Sequence, residues 1–230
     1  MSSQFNFTEI TTDVLLTWII ALLFLAVAIM LQWPVIRKSL NERKIMAAIN
    51  KFGSEVWHDI LLPDGLGGFT YIEHLLLREK SITVLSLKRY RGVIFAGQHI
   101  DEWTQVLNNN SYRFPNPLKK LEADAMAINN LVSDVDVQGL VLFTSESEFP
   151  KGKPDNVMLF SEMEAELKSS SKIELSPFLQ TARKELQQQI EPCSKDFIAR
   201  MRQGDEQQGH GVLAGIFILA ALVWIGWNFI

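Results

Sequence analysis

Two short segments hold most of the side chains that could do chemistry. One reads Tyr71-Ile72-Glu73-His74, the other Val84-Leu85-Ser86-Leu87-Lys88-Arg89-Tyr90-Arg91-Gly92. An acid at the end of one strand and a lysine at the end of the next suit metal-assisted phosphodiester hydrolysis. The Glu73 carboxylate would hold a divalent cation. The Lys88 ammonium would orient or deprotonate the attacking water and steady the phosphate charge. A plainer reading stands beside this one. Charged side chains are mostly exposed, so Glu73 alone reads as a solvated strand residue, and Lys88, Arg89 and Arg91 as a solvated turn.

Together with Arg113, Lys119 and Lys120, the basic turn could also face phosphates as point charges that read no sequence. The histidines at 58, 74, 99 and 210 show neither HExxH nor paired His-xxx-His spacing. Successive strand residues face opposite sides, which points His74 away from Glu73. Gly65, Gly67 and Gly68 read as a turn rather than a phosphate loop. A single cysteine, Cys193, excludes an internal disulfide and a cysteine metal cluster, and reads as an inert thiol in a reducing compartment.

The elements that must position these residues follow from periodicity. Residues 41–62 read as an amphipathic helix, with Ile45, Met46, Ile49, Phe52, Val56, Trp57 and Ile60 at helical spacing. Strands are expected at 69–77, 82–87 and 93–96, joined by polar turns as an antiparallel meander. A polar, Asn-rich loop at 105–117 leads into a helix at 118–132 and a buried strand at 137–144. A strand at 157–160 and helices at 162–169 and 177–190 complete an α/β sandwich. A polar tether is expected over 191–211.

Composition confines this domain between two apolar ends. The chain is 47% hydrophobic and 21% charged, which excludes a disordered or fibrous protein and an all-membrane one. Residues 14–36 and 212–230 contain no charge, and all 22 basic residues lie between them with 24 of the 26 acids. The resulting net charge of −2 excludes a uniformly basic nucleic-acid coat. Each end is long enough to span a bilayer. Arg37, Lys38, Arg43 and Lys44 follow the first run, and Lys195, Arg200 and Arg202 precede the second. Both biases place the middle in the cytoplasm and the termini outside. The expected organisation is a short extracytoplasmic segment at 1–13, spans at 14–36 and 212–230, and a cytoplasmic domain at 41–190, anchored in the cytoplasmic membrane. Gly211 and Gly215 permit close helix contact.

With these residues in view, the middle resembles the NERD domain, a nuclease-related module whose fold is similar to the PD-(D/E)xK restriction-endonuclease core. The family's Gly-x-Glu is matched by Gly53-Ser54-Glu55, and its Gln-Ile-Asp-His by Tyr71-Ile72-Glu73-His74. Its strand ending in Glu-x-Lys, a polar residue, an aromatic and then Gly is matched by Ser86-Leu87-Lys88, Arg89-Tyr90 and Gly92. Trp103 and Phe114-Pro115-Asn116-Pro117-Leu118 match the Trp and aromatic-x-Asn-Pro-Leu that follow. The likeness runs from residue 51 to about 190. It implies an αβββαβ core, here between two transmembrane helices, with Glu55, Glu73 and Lys88 as catalytic positions and Glu73 and Glu55 as ligands for Mg²⁺.

Two departures qualify that implication. Glu73 stands where the family has aspartate, one methylene longer. Ser86 stands where it has glutamate, which removes a charge from a site that holds hard cations through carboxylates. The expectation is a degenerate catalytic site with a binding role, for nucleic acid or protein, at the cytoplasmic membrane face. The rivals are an active Mg²⁺-dependent nuclease using Glu55, Glu73 and Lys88, and an assembly protein whose spans pair with themselves or with other membrane proteins.

Overall fold

In the computed structural model, residues 7–144, 146–169 and 176–203 are described. The expected second span at 212–230, and residues 204–211 of the expected tether, lie outside them. In chain order the elements are α1 (Phe7–Phe52), β1 (Glu55–Pro63), β2 (Phe69–Leu77), β3 (Ser81–Lys88), β4 (Gly92–Phe95), β5 (Glu102–Leu107) and β6 (Asn110–Pro115). There follow α2 (Pro117–Asn129), β7 (Asp136–Phe143), β8 (Ser147–Glu148), β9 (Val157–Leu159), α3 (Phe160–Ser169), α4 (Pro177–Gln189), β10 (Glu191–Pro192) and α5 (Lys195–Gln203). The last two occupy much of what polarity alone assigned to a tether. The chain divides into two compact units, one of which is residues 45–206.

Helix α1 contains all of residues 14–36, and among its described side chains there Ile19, Leu22, Leu23 and Met30 are exposed. Over the described residues, which leave out the side chains of 7–17, 20, 21, 24 and 28, no helix is long and apolar enough to cross a membrane.

The helix ends at Phe52 and not at residue 62, and this is the main correction to the sequence reading. A Cβ at Gly53 would press on the carbonyl oxygens of Glu55 and Leu77, at 3.0 and 3.2 Å. The Ser54 N–H donates to Leu77 O at 2.8 Å, which turns the chain directly into β1. Val56, Trp57 and Ile60 fit helical spacing, but they fit a strand equally well, and periodicity does not separate the two over so short a run.

Strands β1, β2 and β3 are antiparallel neighbours. Strand β7 runs parallel to β3 along its whole length, from Ser81↔Asp136 to Lys88↔Phe143, and β9 runs parallel to β7. The sheet order is β10-β1-β2-β3-β7-β9, with a second sheet ordered β6-β5-β4-β8. The expected meander is therefore shifted by one strand: β1 is its first member, and residues 93–95 belong to the second sheet. With that shift, α1-β1-β2-β3-α2-β7 supply the αβββαβ order, and the second sheet is inserted between β3 and α2. This mixed α/β arrangement is consistent with a nuclease-like core.

The expected loop at 105–117 is instead the β5–β6 hairpin. Asn108 and Asn109 take φ of 48° and 65°, the left-handed pair that a two-residue hairpin turn requires. Reading Asn as a loop signal hid a turn. Apolar side chains fill both faces of the larger sheet. Ile72, Leu75, Ile82 and Val84 pack with Leu118, Leu121 and Ile128 of α2 and Leu179 of α4. Leu76, Leu85 and Leu87 pack with Ile45, Ile49 and Phe52 of α1 and with Phe160 and Met163 of α3.

Candidate functional site

Glu73 lies where the β2–β3 ladder opens. The last paired residues are His74 and Leu85. Beyond them the Glu73 carboxylate takes over: Oε2 accepts from Leu87 N–H at 2.9 Å and from Ser86 Oγ at 3.4 Å. Ser86 and Lys88, two residues apart on β3, share a face. Glu73, Ser86 and Lys88 are thus brought to one edge of the opening, as their spacing suggests. The Lys88 carbonyl accepts from Thr144 N–H at 3.1 Å, which fixes the strand end against the segment after β7.

On the other side of β2, β1 is irregular. His58 pairs with His74 and Ile60 with Ile72, but Asp59 between them has φ 52°. The alternation of side chains slips here in both strands. Ile60 and Ile72 join the cluster under α2, as do Trp57 and Leu75 on the odd positions beyond. His74 consequently does not point cleanly away from Glu73, as strict alternation requires. Its Nε2 is 3.7 Å from Glu73 Oε1.

His74 is buried, and its Nδ1 is 2.8 Å from Nδ1 of His58. The two rings meet edge to face, with centroids 4.9 Å apart. His58 Nε2 in turn lies 2.8 Å from Asn50 Oδ1 on α1, within hydrogen-bond distance. Sequence reasoning missed Asn50 and His58. Eight residues apart in one imagined helix, they signalled nothing; the contact appears only once β1 folds back along β2.

Glu55 does not join this group. It sits on β1 opposite Leu77, four positions from Glu73 along the sheet, or roughly 13 Å at about 3.3 Å per residue. Its carboxylate accepts from Trp57 Nε1 at 2.9 Å and pairs with the Arg183 guanidinium, which holds the arginine above its ordinary pKa. The glutamate expected as a second ligand is thus committed to α4.

The basic residues are dispersed and largely compensated. Lys88 ends β3, Arg89 lies just beyond it, and Arg91 follows, paired with Glu146. Arg113 on β6 lies 3.9 Å from Glu102. Lys119 on α2 pairs with the neighbouring Asp101, which lowers that carboxyl below its usual range. Lys120 pairs with Asp124 at 2.5 Å and donates to Tyr71 O at 2.9 Å.

Asn116 has a structural task. Its Oδ1 caps α2 by accepting from Leu118 N–H at 3.0 Å, while Nδ2 faces the carbonyls of Gly97, Gln98 and Ile100. Trp103, fully buried, donates Nε1–H to Gly97 O at 2.9 Å. These residues of the aromatic-rich motif build the second sheet's corner and carry no chemistry of their own.

The family model of the nuclease-related domain, NERD, matches residues 37–144. A little under half of the chain is thus similar to a nuclease-related domain. The match begins within α1 and ends one residue after β7, so it starts earlier and stops earlier than the motif likeness at 51–190. It includes the opening around Glu73 and the whole β5–β6 hairpin, and leaves α3, α4 and α5 outside. No curated protein and no solved structure matches the chain.

Proposed function

We propose that the protein is a membrane-anchored NERD-domain protein whose catalytic site has lost most of its hydrolytic capacity and which binds nucleic acid at the cytoplasmic face of the membrane. The observation that carries this reading is Ser86. Its hydroxyl stands across from Glu73, where a second carboxylate would be needed, and Glu55 is tied to Arg183. A Mg²⁺ ion, which favours oxygen ligands in octahedral geometry, would find one carboxylate here, already engaged by Leu87 N–H. The residues present fit Mg²⁺ poorly, and no hydrolytic step is routed through it.

Binding makes smaller demands. Lys88 and Arg89 stand at the opening, and the pairs at Arg91, Arg113 and Lys119 are exposed. Exposed pairs contribute at most about 1 kcal/mol each, so exchanging their acids for phosphates costs little. Anchoring is supported by the charge-free stretch at 14–36 lying within one continuous helix.

The test is equilibrium binding of fluorescent single- and double-stranded DNA and RNA to the full chain in detergent micelles. Binding should weaken in Lys88→Ala/Arg89→Ala and with rising salt. Absence of binding to every nucleic acid would refute the reading in favour of a protein partner. For topology, cysteines placed at residue 3 and at Asn109 in a Cys193→Ser background should differ in intact cells, with only the first labelled by an impermeant reagent.

A further inference from the structure

We propose that the open edge of β7 at residues 137–139, with the groove between it and α2, takes up an extended peptide of a partner protein as an added strand, and that this peptide alternates apolar with basic residues. Strand β7 pairs with β3 along its whole length, but on its other side β9 covers only Val141, Leu142 and Phe143. Among the described residues no strand pairs with 136–140 on that side. Val141 N–H donates to Asn156 O across the edge at 2.9 Å. Backbone polar groups alternate sides along a strand, so Val137 and Gly139 turn their N–H and C=O groups the same way as Val141. Two donors and two acceptors thus face outward, spaced for a further strand. Such edges are commonly blunted by lysine or proline, and residues 137–139, Val-Gln-Gly, contain neither.

Helix α2 turns the edge into a groove. A Cβ at Gly139 would lie 3.1 Å from Leu121 Cβ, so the helix passes close over this point of β7. Beside it opens a groove of about 540 Å³, whose walls include Glu122, Ala125 and Met126 of α2 and Asp136, Val137 and Gly139 of β7. Met126 is 68% exposed there, and methionine adapts to side chains of varied shape. Every second side chain of an added strand would point to the helix side, where this apolar wall receives it.

Charge selects the occupant. The lining residues include two acids, Glu122 and Asp136, and no base. Nucleic-acid phosphates are repelled here, and so is a second copy bringing the same acids to the same edge; lysine or arginine between the apolar residues of a peptide is attracted. The groove also stands apart from the opening beside Glu73. Gln138 lies opposite Thr83, five residues along β3 from Lys88, or roughly 16 Å at about 3.3 Å per residue. A peptide held here leaves that opening free.

The experiment is fluorescence anisotropy of labelled peptides about eight residues long, with the full chain in uncharged-detergent micelles and empty micelles as the blank. A peptide alternating valine with lysine should bind at least tenfold more tightly than one alternating valine with glutamate, and less tightly as salt rises. Val137→Pro removes an outward N–H and leaves the β3 ladder intact, so it should weaken binding roughly tenfold with little change in melting temperature. Glu122→Lys and Met126→Ala, both at exposed positions, decide the matter if Val137→Pro does not fold: each should weaken binding of the lysine peptide, and no loss in either would overturn the proposal. Equal binding of the two peptides to the wild type, or unchanged affinity in folded Val137→Pro, would also overturn it. So would dimerisation of the full chain that Val137→Pro abolishes while neither peptide binds, which gives the edge to a second copy.

Discussion

His58 and His74, sixteen residues apart in the chain, face each other with their Nδ1 atoms 2.8 Å apart, and this contact ties β1 to β2 at the place where Glu73 leaves the ladder. Asn50 extends the tie to α1. The carboxylate nearest to chemistry is thereby connected, through three side chains, to the end of the longest helix.

Restoring the missing charge should restore an affinity for Mg²⁺. In Ser86→Glu a second carboxylate would stand beside Glu73. Without metal the like charges repel and the variant should be less stable than the wild type by about 0.5–1 kcal/mol. Adding Mg²⁺ should raise its melting temperature markedly and the wild type's little. Equal shifts in both proteins would show that position 86 does not face the cation.

Asn116→Ala should be costly although it touches no candidate chemistry. The loss of the helix cap amounts to about 1 kcal/mol, and the carbonyls left without a donor beneath the second sheet add about 1–3 kcal/mol. Denaturant unfolding should show a loss of about 2–4 kcal/mol in total. Asn116→Asp, which keeps the cap acceptor and loses the donors, should fall between the alanine variant and the wild type.

Two glycines with similar backbones separate conformational strain from collision. Gly92 has φ +79° and a Cβ there would lie 2.5 Å from Val106 O; Gly152 has φ +84° with nothing within 4 Å. Gly152→Ala should cost about 1–2 kcal/mol from φ alone. Gly92→Ala must also move β4 from β5 and should cost more, read as a lower thermal midpoint than that of Gly152→Ala.

Cys193 should react slowly. Burial, and then the negative charge of Asp59, push its thiol above the ordinary range. Because the folded value is raised, the resulting stability is present below the unfolded thiol pKa of about 8.5 and is lost as pH rises through the folded value. Iodoacetamide at pH 8 should alkylate Cys193 more slowly than a free thiol, and Asp59→Asn should speed the reaction. Equal rates in the wild type and in Asp59→Asn would remove Asp59 from the explanation.

Much of the fold was legible wherever one period dominated. The strands at Phe69–Leu77 and Ser81–Lys88 and the helix Pro117–Asn129 fall within a few residues of their expected places. What escaped was decided by contacts distant in sequence. Glu55–Pro63 is a strand because Gly53 and Ser54 turn it onto β2, and Asn108 and Asn109 make a turn because the segments on either side pair. At the site, Glu73, Ser86 and Lys88 were readable from spacing on adjacent strands. The histidine chain was not, because strict alternation holds only in a regular strand, and Asp59 at φ 52° marks where this one departs from it.

The central claim is that a nuclease-related domain with serine at position 86 binds without cutting. Its most direct test is a single-turnover assay, with full-length protein in excess over end-labelled DNA and RNA, in Mg²⁺ and separately in Mn²⁺. The account predicts retained complexes and intact substrate over hours in both metals. Rapid cleavage that disappears in Lys88→Ala would contradict it and establish an active nuclease.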